Sequence, residues 1–251
     1  MSTVGDPGIA VVTGASGGIG SAIAVRLAAD GLCVVAGYHS AAERATQLVA
    51  GLAGSGHRAA QISVLEPTSL AALANLLADG PGRVDVLVNC AGVTRPVPHD
   101  DLDDLDDELI DRIFATNWRG PFATVRALRP LLEAAPSPVV VNISSVSAVT
   151  GQGSNVAYCA SKAALDSMTR SLGRALAPQI RMVSVSPGWV LGEYASRMPA
   201  GVLDVQRDAT PLGRLATPDD VAAAVSAVVH DLPLTTGAVI PVDGGRPLGT
   251  H

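Results

Sequence analysis

The chain has almost no lysine. Of its 17 basic residues 16 are arginine, and Lys162 is the single exception. Acidic residues outnumber the basic ones, 23 to 17, which gives a net charge of −6. Proteins that bind nucleic acid or an anionic membrane usually present a basic surface, so we expect neither as a partner.

The sequence also lacks membrane-directing segments and cysteine pairs. Its beginning, MSTVGDPG, has neither the basic flank nor the apolar core of a signal peptide, and the uncharged stretch 134–161 is too rich in Ser, Asn, Gly and Pro to span a bilayer. The cysteines Cys33, Cys90 and Cys159 are odd in number and lack metal-ligand or redox spacing. We therefore expect a cytoplasmic protein with reduced thiols and no metal site.

Apolar segments alternate with helical patterns along the whole chain. The predicted strands lie at 9–13, 32–37, 58–63, 84–88, 138–143, 180–186 and 237–242, with helices between them. Hydrophobic residues make up 48% and charged residues 16%, as in parallel sheets covered on both faces. The sequence predicts one α/β domain over 1–251, with a doubly wound parallel sheet.

A glycine-rich turn follows the first predicted strand. In TGASGGIG, Gly14, Gly18 and Gly20 would let the backbone turn tightly and approach a pyrophosphate, which would sit on the positive end of the next helix. The alternative is a tight turn that binds nothing. The strand–turn–helix context favours a dinucleotide.

The second predicted strand ends without the carboxylate that would bind an adenosine ribose. Tyr38, His39 and Ser40 stand there instead. Nothing then repels a 2′-phosphate, to which His39 and Ser40 could donate hydrogen bonds. We predict that NADP(H) is the preferred cofactor, with NAD(H) as the alternative.

Tyr158 and Lys162 are one helical turn apart, so they share one face of a predicted helix. A nearby ammonium lowers the pKa of a phenol from about 10 toward neutral pH, where it can exchange a proton with a substrate oxygen. A compact ammonium can serve the phenol and a ribose hydroxyl together, whereas a planar guanidinium suits carboxylates and phosphates. An ordinary surface pair is the alternative, and the solitary lysine argues against it.

Together these motifs resemble the short-chain dehydrogenase/reductases. The matching segments are TGASGGIG, NCAG at 89–92, TNWRGPF, NISS at 142–145, YCASK, PG at 187–188 and VDGG at 242–245. The resemblance covers nearly the whole chain. It implies a seven-stranded Rossmann sheet and a nicotinamide cofactor.

The resemblance also implies a catalytic tetrad of Asn117, Ser145, Tyr158 and Lys162. Tyr158 would be the acid/base, and Lys162 would lower its pKa and hold the ribose. Ser145 would hydrogen-bond the substrate oxygen, with Ser144 as the competing assignment. Asn117 would position a water in the proton relay.

The cofactor-binding residues implied by the same motifs lie mostly at the predicted strand ends. They are Gly14, Ser16, Gly18, Ile19, Gly20, Tyr38, His39, Ser40, Ser63, Val64, Asn89, Ala91, Gly92, Tyr158, Lys162, Pro187, Gly188 and Val190. Several positions depart from the family pattern, among them the next three. Cys90 replaces the second Asn of NNAG, Ser63 replaces an aspartate near the adenine, and Gly192 replaces a threonine that bonds the nicotinamide amide.

Within the family, CAGVTRP and GRLATPDDVAAAV resemble the 3-oxoacyl carrier-protein reductases. Those enzymes carry basic residues before the fifth and sixth strands that meet an acidic carrier protein, where this chain offers little but Arg181. An acidic surface would repel such a carrier. We predict a small-molecule ketone or secondary alcohol as substrate, with a 3-oxoacyl type among the candidates. The alternatives are a sugar or alcohol dehydrogenase and a non-catalytic nicotinamide-binding module.

The segment after PG, about 189–210, should form a lid over the substrate, because ligands of such folds bind beyond the carboxyl ends of the strands. Trp189 and Tyr194 could line the pocket or simply pack the lid. Arg197 and Arg207 could meet an anionic substrate or be ordinary exposed arginines.

An acidic run, DDLDDLDDELID, occupies 100–111. Leu102, Leu105 and Leu109 have helical spacing within it. We predict a solvated helix lying over an apolar stripe.

The family resemblance implies a homotetramer, with a dimer as the fallback. The helices that carry Asn117 and Tyr158 would pack against their copies in a second subunit. The residues expected to face outward there are Phe122, Val125, Leu128, Ala163, Ala164, Met168, Leu172 and Leu176.

Overall fold

Seven parallel strands form one sheet. The computed structural model describes residues 7–192, 195–199 and 201–248. The strands are β1 (Ile9–Thr13), β2 (Cys33–Tyr38), β3 (Arg58–Gln61), β4 (Val86–Asn89), β5 (Val139–Ile143), β6 (Arg181–Pro187) and β7 (Val239–Val242). Their order is β3-β2-β1-β4-β5-β6-β7. The predicted α/β class is confirmed, and every predicted strand begins within two residues of the observed one.

Helices cover both faces of this sheet. The α-helices of the described residues are α1 (Gly18–Ala29), α2 (Ala42–Ala50), α3 (Pro67–Ala78), α4 (Asp107–Phe114), α5 (Gly120–Glu133), α6 (Ser147–Thr150), α7 (Val156–Ala175), α8 (Val202–Asp208) and α9 (Pro218–His230). A π turn, Ala115–Arg119, joins α4 to α5. None of the helices described is both long and apolar enough to cross a membrane.

The alternation of side chains along each strand divides the core into two layers. From β1, Ala10 and Val12 pack with residues of α1 and α9 on one face. Ile9 and Val11 pack with residues of α3 and α5 on the other. Because both of their faces are buried, the central strands β1, β4 and β5 read as largely apolar runs. The carboxyl ends of all seven parallel strands meet along one edge of the sheet.

The helix predicted over the acidic run is only partly present. Residues 100–106 form turns, and α4 begins at Asp107. The Asp106 carboxylate accepts a hydrogen bond from the Leu109 amide at 2.7 Å, and that of Asp101 accepts one from the Asp104 amide at 3.0 Å. Aspartates that bond nearby amides favour caps and turns over helix interiors. The predicted apolar stripe is therefore wrong at Leu102, which is 75% exposed.

Part of the predicted oligomer surface is wrong too. Val125 and Leu128 belong to the core layer beneath α5, and Met168 is buried within the single chain. Leu172 and Leu176 are partly buried against the same layer. The wide apolar face seen in the sequence serves mainly to pack these helices on their own sheet. Phe122, Ala163 and Ala164 remain half-buried.

Candidate active site

A cleft of about 1650 Å³ follows the carboxyl edge of the sheet. Its walls come from the segments that follow all seven strands. Pockets for single drug-sized ligands are typically about 300–1,000 Å³. This cleft therefore has room for a dinucleotide and a substrate together.

The glycine-rich turn forms one end of the cleft. A Cβ on Gly14, whose φ is +68°, would lie 2.9 Å from the Ala91 Cα. A Cβ on Gly20 would overlap the Gly14 carbonyl and lie 2.9 Å from the Ala15 Cα. The N-cap of α1 is Gly17, which has no side chain to bond the first amides of the helix. Those amides are available to an anion such as a pyrophosphate.

The segments after β2 and β3 form the next part of the wall. His39 and Ser40 are exposed on it, as predicted, beside Ser63 and the buried Val64. Arg44 of α2 also lines this part, and sequence analysis missed it. A signal was available, because Arg44 lies four residues after Ser40, in the first turn of the next helix. Tyr38, the last residue of β2, is half-buried and does not line the cleft.

Asn89 also lies off the cleft wall, contrary to its place in the predicted cofactor set. It is buried, and its amide nitrogen donates to the Asn142 Oδ1 at 2.9 Å. The Asn142 amide in turn donates to the Thr169 hydroxyl at 2.9 Å. This polar chain ties β4 and β5 to α7, because buried amides must find partners inside the protein. Asn89 supports the cleft without lining it.

Helix α7 carries Tyr158 and Lys162, and both line the cleft. The helix is capped by the buried Asn155, whose Oδ1 accepts a hydrogen bond from the Tyr158 amide at 2.7 Å. The Asn155 amide nitrogen also donates to the Arg95 carbonyl at 2.8 Å. Asn155 thus fixes the start of α7 to the loop after β4. Its position before the helical pattern was the missed signal.

The ammonium of Lys162 is held in a buried position. Its Nζ donates to the Ile143 carbonyl oxygen at 2.7 Å and lies 5.8 Å from the centre of the Tyr158 ring. Burial lowers the lysine pKa to about 8, and electrostatic interactions with Cys90 and Asp166 act in the opposite direction. The Asp166 carboxyl lies one turn further along α7, and burial raises its pKa.

The two candidate serines differ in their partners. The Ser144 hydroxyl donates to the Lys162 carbonyl at 3.5 Å and also bonds Asp166. The Ser145 hydroxyl bonds Ser147, at 3.1 Å between their oxygens. Both serines line the cleft, but the Ser144 hydroxyl is engaged with α7. The Ser145 hydroxyl also has a protein partner, so its contact with a substrate stays a prediction.

Asn117 lies behind the cleft wall in the π turn. Its Oδ1 accepts from the Val93 amide at 2.8 Å, and its Nδ2 donates to the Val93 carbonyl at 3.0 Å and to the Ser161 hydroxyl at 3.2 Å. The side chain therefore holds the loop after β4. Its predicted contact with a water stays a prediction.

One of the two aromatic residues of the predicted lid segment lies on the cleft wall. Trp189 lines the cleft, whereas Tyr194 lies outside the described residues. Arg207 does not line the cleft, because its guanidinium pairs with Asp204 at 2.8 Å and Asp208 at 3.3 Å. The Arg197 side chain is outside the described part of the chain. Arg246, which sequence analysis did not consider, is one of the arginines that line the cleft.

A family model described as enoyl-(acyl carrier protein) reductase matches residues 14–246. The chain belongs to the short-chain dehydrogenase/reductases. As a member of this family it is an NAD(P)-dependent oxidoreductase that acts on a ketone or an alcohol.

Relatives of this short-chain dehydrogenase/reductase match over almost their full lengths. A ketoacyl reductase 2 of the granaticin polyketide synthase of Streptomyces violaceoruber is 35% identical over 242 residues, covering 96% of both chains. A cis-4-hydroxycyclohexanecarboxylate dehydrogenase of Sinomonas cyclohexanicum is 35% identical over 241 residues, covering 94% of this chain and 95% of the relative. A solved structure of 7α-hydroxysteroid dehydrogenase, complexed with NADH and 7-oxo glycochenodeoxycholic acid, is similar with a TM-score of 0.88. It is 28% identical and covers 96% of this chain and 94% of its own.

Proposed function

We propose that this protein is an NADP(H)-dependent ketoreductase that acts on a small-molecule carbonyl compound. The observation that carries the proposal is the pairing of Tyr158 with the buried Lys162 ammonium on one wall of the cleft. The ketoacyl and cyclic-alcohol relatives support a carbonyl substrate.

The test is consumption of NADPH and NADH with a panel of β-ketoesters, diketones, quinones and sugars. Turnover of a ketone supports the proposal. Inactivity with the whole panel and no cofactor binding would overturn it and favour the non-catalytic alternative.

The cleft residues fit a nicotinamide dinucleotide. The amides at the start of α1 and the cradle of Gly14 and Gly20 would hold the pyrophosphate, and Lys162 would hold the ribose next to the nicotinamide. Gly188 leaves the wall open near that end, where a Cβ would lie 3.0 Å from the Asp243 Cα. When bound, the cofactor supplies or accepts a hydride.

In the proposed reaction the Tyr158 hydroxyl gives its proton to the substrate oxygen, on which negative charge develops. The Lys162 ammonium stabilises the resulting phenolate, which lowers the barrier to proton transfer. Rotation of the Ser145 hydroxyl would aim its proton at the same oxygen. Oxidation of an alcohol would use the same groups in reverse.

We predict that the protein binds NADPH at least tenfold more tightly than NADH, about 1.4 kcal/mol. His39, Ser40 and Arg44 present donors and no carboxylate to the adenosine end of the cleft. Fluorescence titration with each cofactor measures the two dissociation constants. His39→Asp should abolish the preference, because His39 lines the cleft and a carboxylate there would repel a 2′-phosphate.

Arg44→Ala should weaken NADPH binding and leave NADH binding unchanged. Arg58→Ala is the matched control, since Arg58 is exposed on β3 and does not line the cleft. Equal dissociation constants for NADPH and NADH in the natural chain would show that His39, Ser40 and Arg44 do not bind a 2′-phosphate.

The substrate is proposed to be free in solution and not bound to an acidic carrier protein. Arg181, the first residue of β6, donates to the carbonyl of Val228 near the end of α9 and to the carbonyls of Leu232 and Thr235 beyond it. Its guanidinium is thereby committed to the fold. This supports the expectation from sequence that an acidic carrier protein would find little positive charge near the start of β6.

The segment 189–210 is proposed to act as the substrate lid. Its first residues pair with the chain near Ala216, and α8 has no buried residue. Few buried contacts permit local movement at low cost. Gln206 and Ala209 are residues of this segment that line the cleft.

We predict a homotetramer built on the faces of α5 and α7. Phe122 stacks on Trp118 with ring centres 6.1 Å apart, and Ala163 and Ala164 lie half-buried on α7. Light scattering at micromolar concentration measures the mass, and the mass of one 25.3 kDa chain would contradict the proposal.

Ser167→Glu places a charge on the exposed side of α7 and should dissociate the assembly. Gln47→Glu on α2 is its control. Met168→Glu would be uninformative, because Met168 is already buried in the single chain.

A further inference from the structure

The segment after β7 brings an arginine to the cleft wall. Arg246 begins the 3₁₀ turn Arg246–Leu248 and is half-buried. Its guanidinium donates to the Gln206 carbonyl at 3.0 Å and to the Gln206 Oε1 at 2.7 Å. An arginine has five N–H donors, so these two bonds fix its orientation and leave donors for another partner.

Neighbouring arginines are neutralised, but Arg246 is not. Arg207 pairs with Asp204 and Asp208, and Arg214 forms two bonds with the Asp220 carboxylate, at 2.7 and 2.8 Å. Arg246 has no ion pair with a carboxylate in the described ranges. Among the described residues, no carboxylate therefore neutralises the guanidinium that Arg246 presents to the cleft of a protein whose net charge is −6.

The sheet order places this guanidinium at the substrate end. Four strands separate β2 from β7, so the segments that follow them start about 24 Å apart at the usual strand spacing. Arg246 is therefore remote from His39 and Ser40 and cannot bind a 2′-phosphate held there. Only β6 separates β7 from β5, so the segments that follow β5 and β7 start about 10 Å apart. Ser145 lies in the segment that follows β5.

We propose that Arg246 binds an anionic group of the substrate, a carboxylate or a phosphate, several atoms away from the reacting carbonyl. The inference rests on the proposed ketoreductase function and specifies its substrate class. The planar guanidinium suits either anion, and Gln206 holds it in place from the lid helix. Closure of the lid and capture of the anion would then involve the same pair of side chains.

The experiment compares each ketone as a free acid and as its methyl ester, using 3-oxobutanoate, 4-oxopentanoate and 4-oxocyclohexanecarboxylate. A further pair, 3-oxobutanoyl-CoA and the neutral N-acetylcysteamine thioester, identifies a phosphate as the anion. The variants are Arg246→Gln and Arg246→Lys. Arg207→Gln is the matched control, because Arg207 is a lid arginine off the cleft wall that is already paired with aspartates.

We expect Arg246→Gln to reduce kcat/KM for an anionic substrate by about 10- to 100-fold, mainly through KM. The affected substrate is either a free acid or the CoA ester, depending on which anion Arg246 binds. Arg246→Lys should recover part of this loss. The neutral member and the Arg207→Gln control should change by less than about twofold. A loss confined to the free acids identifies a carboxylate, and one confined to the CoA ester identifies a phosphate.

Two results would overturn the inference while leaving the proposed function intact. Equal losses for the anionic and neutral members would show that Arg246 only anchors the lid. No loss for any member would show that it does not meet the substrate. Inactivity of the natural chain with every ketone would overturn both proposals.

Discussion

Replacing Tyr158 with phenylalanine is expected to abolish turnover while the cofactor still binds. The substitution removes the phenolic hydroxyl and keeps the ring that lies beside Lys162. General acid–base assistance contributes about 10²- to 10⁴-fold, so the loss of kcat should be at least of that size. Steady-state kinetics with the best ketone of the panel measures it.

The dissociation constant of NADPH, measured on the same Tyr158→Phe preparation, is the control. It should stay within about twofold of that of the natural chain, because the hydroxyl is proposed to act on the substrate. If Tyr158→Phe retains more than about a tenth of the original activity, the proton-donor role is refuted, because a loss of less than about tenfold is well below the usual contribution of general acid–base assistance.

Lys162→Arg is expected to be almost as damaging, although it preserves the positive charge. The Lys162 side chain is 6% exposed, and its Nζ is held by the Ile143 carbonyl. A guanidinium is wider than an ammonium and cannot occupy the same position beside Tyr158. We expect kcat/KM to fall by about 100-fold, at the lower end of the range for acid–base assistance. Activity close to that of the natural chain would show that charge alone suffices.

The pH dependence of the same two proteins gives a second comparison. Burial lowers the Lys162 pKa to about 8, so the ammonium is lost as the pH rises through this value. For ketone reduction, kcat/KM of the natural chain should therefore decline above about pH 8, since this parameter follows the free enzyme. The Cys90 thiol stays neutral near pH 8, because burial raises its pKa to about 11. The Asp166 carboxyl also faces Lys162, and burial raises its pKa from the ordinary value of 3.8. The residual activity of Lys162→Arg should lack this decline, because a guanidinium does not lose its proton.

Local patterns in the sequence predicted the sheet well. The central strands are largely apolar runs bounded by turn residues, whereas the edge strand β3 is RAAQ. Two of the predicted glycines, Gly14 and Gly20, have a steric reason to be in the first turn. Gly20 is an example, because any Cβ at that position would overlap the Gly14 carbonyl. Tyr158 and Lys162 could be paired from their spacing, since both lie within a single long helix.

The sequence was less informative where tertiary contacts choose among local alternatives. Met168 and Val125 have the pattern of an exposed apolar face, and only the packing of α5 and α7 shows that they are buried. Asn89 ends strand β4, where a ligand-binding residue is expected, yet its amide donates to Asn142 of the neighbouring strand β5. Arg246 could not be assigned to the substrate end, because its position depends on the order of β5, β6 and β7 in the sheet.

The most direct test of the proposed ketoreductase is transfer of isotope from a labelled cofactor. The natural chain would be incubated with NADPH carrying deuterium at the transferable position of the nicotinamide and with the best ketone of the panel. If Tyr158 and Lys162 serve a hydride-transfer reaction in this cleft, the alcohol product will carry one deuterium on the former carbonyl carbon, and Tyr158→Phe will form almost none of it. Tight binding of NADPH without deuterium in any product would contradict the account and favour a protein that only binds the cofactor.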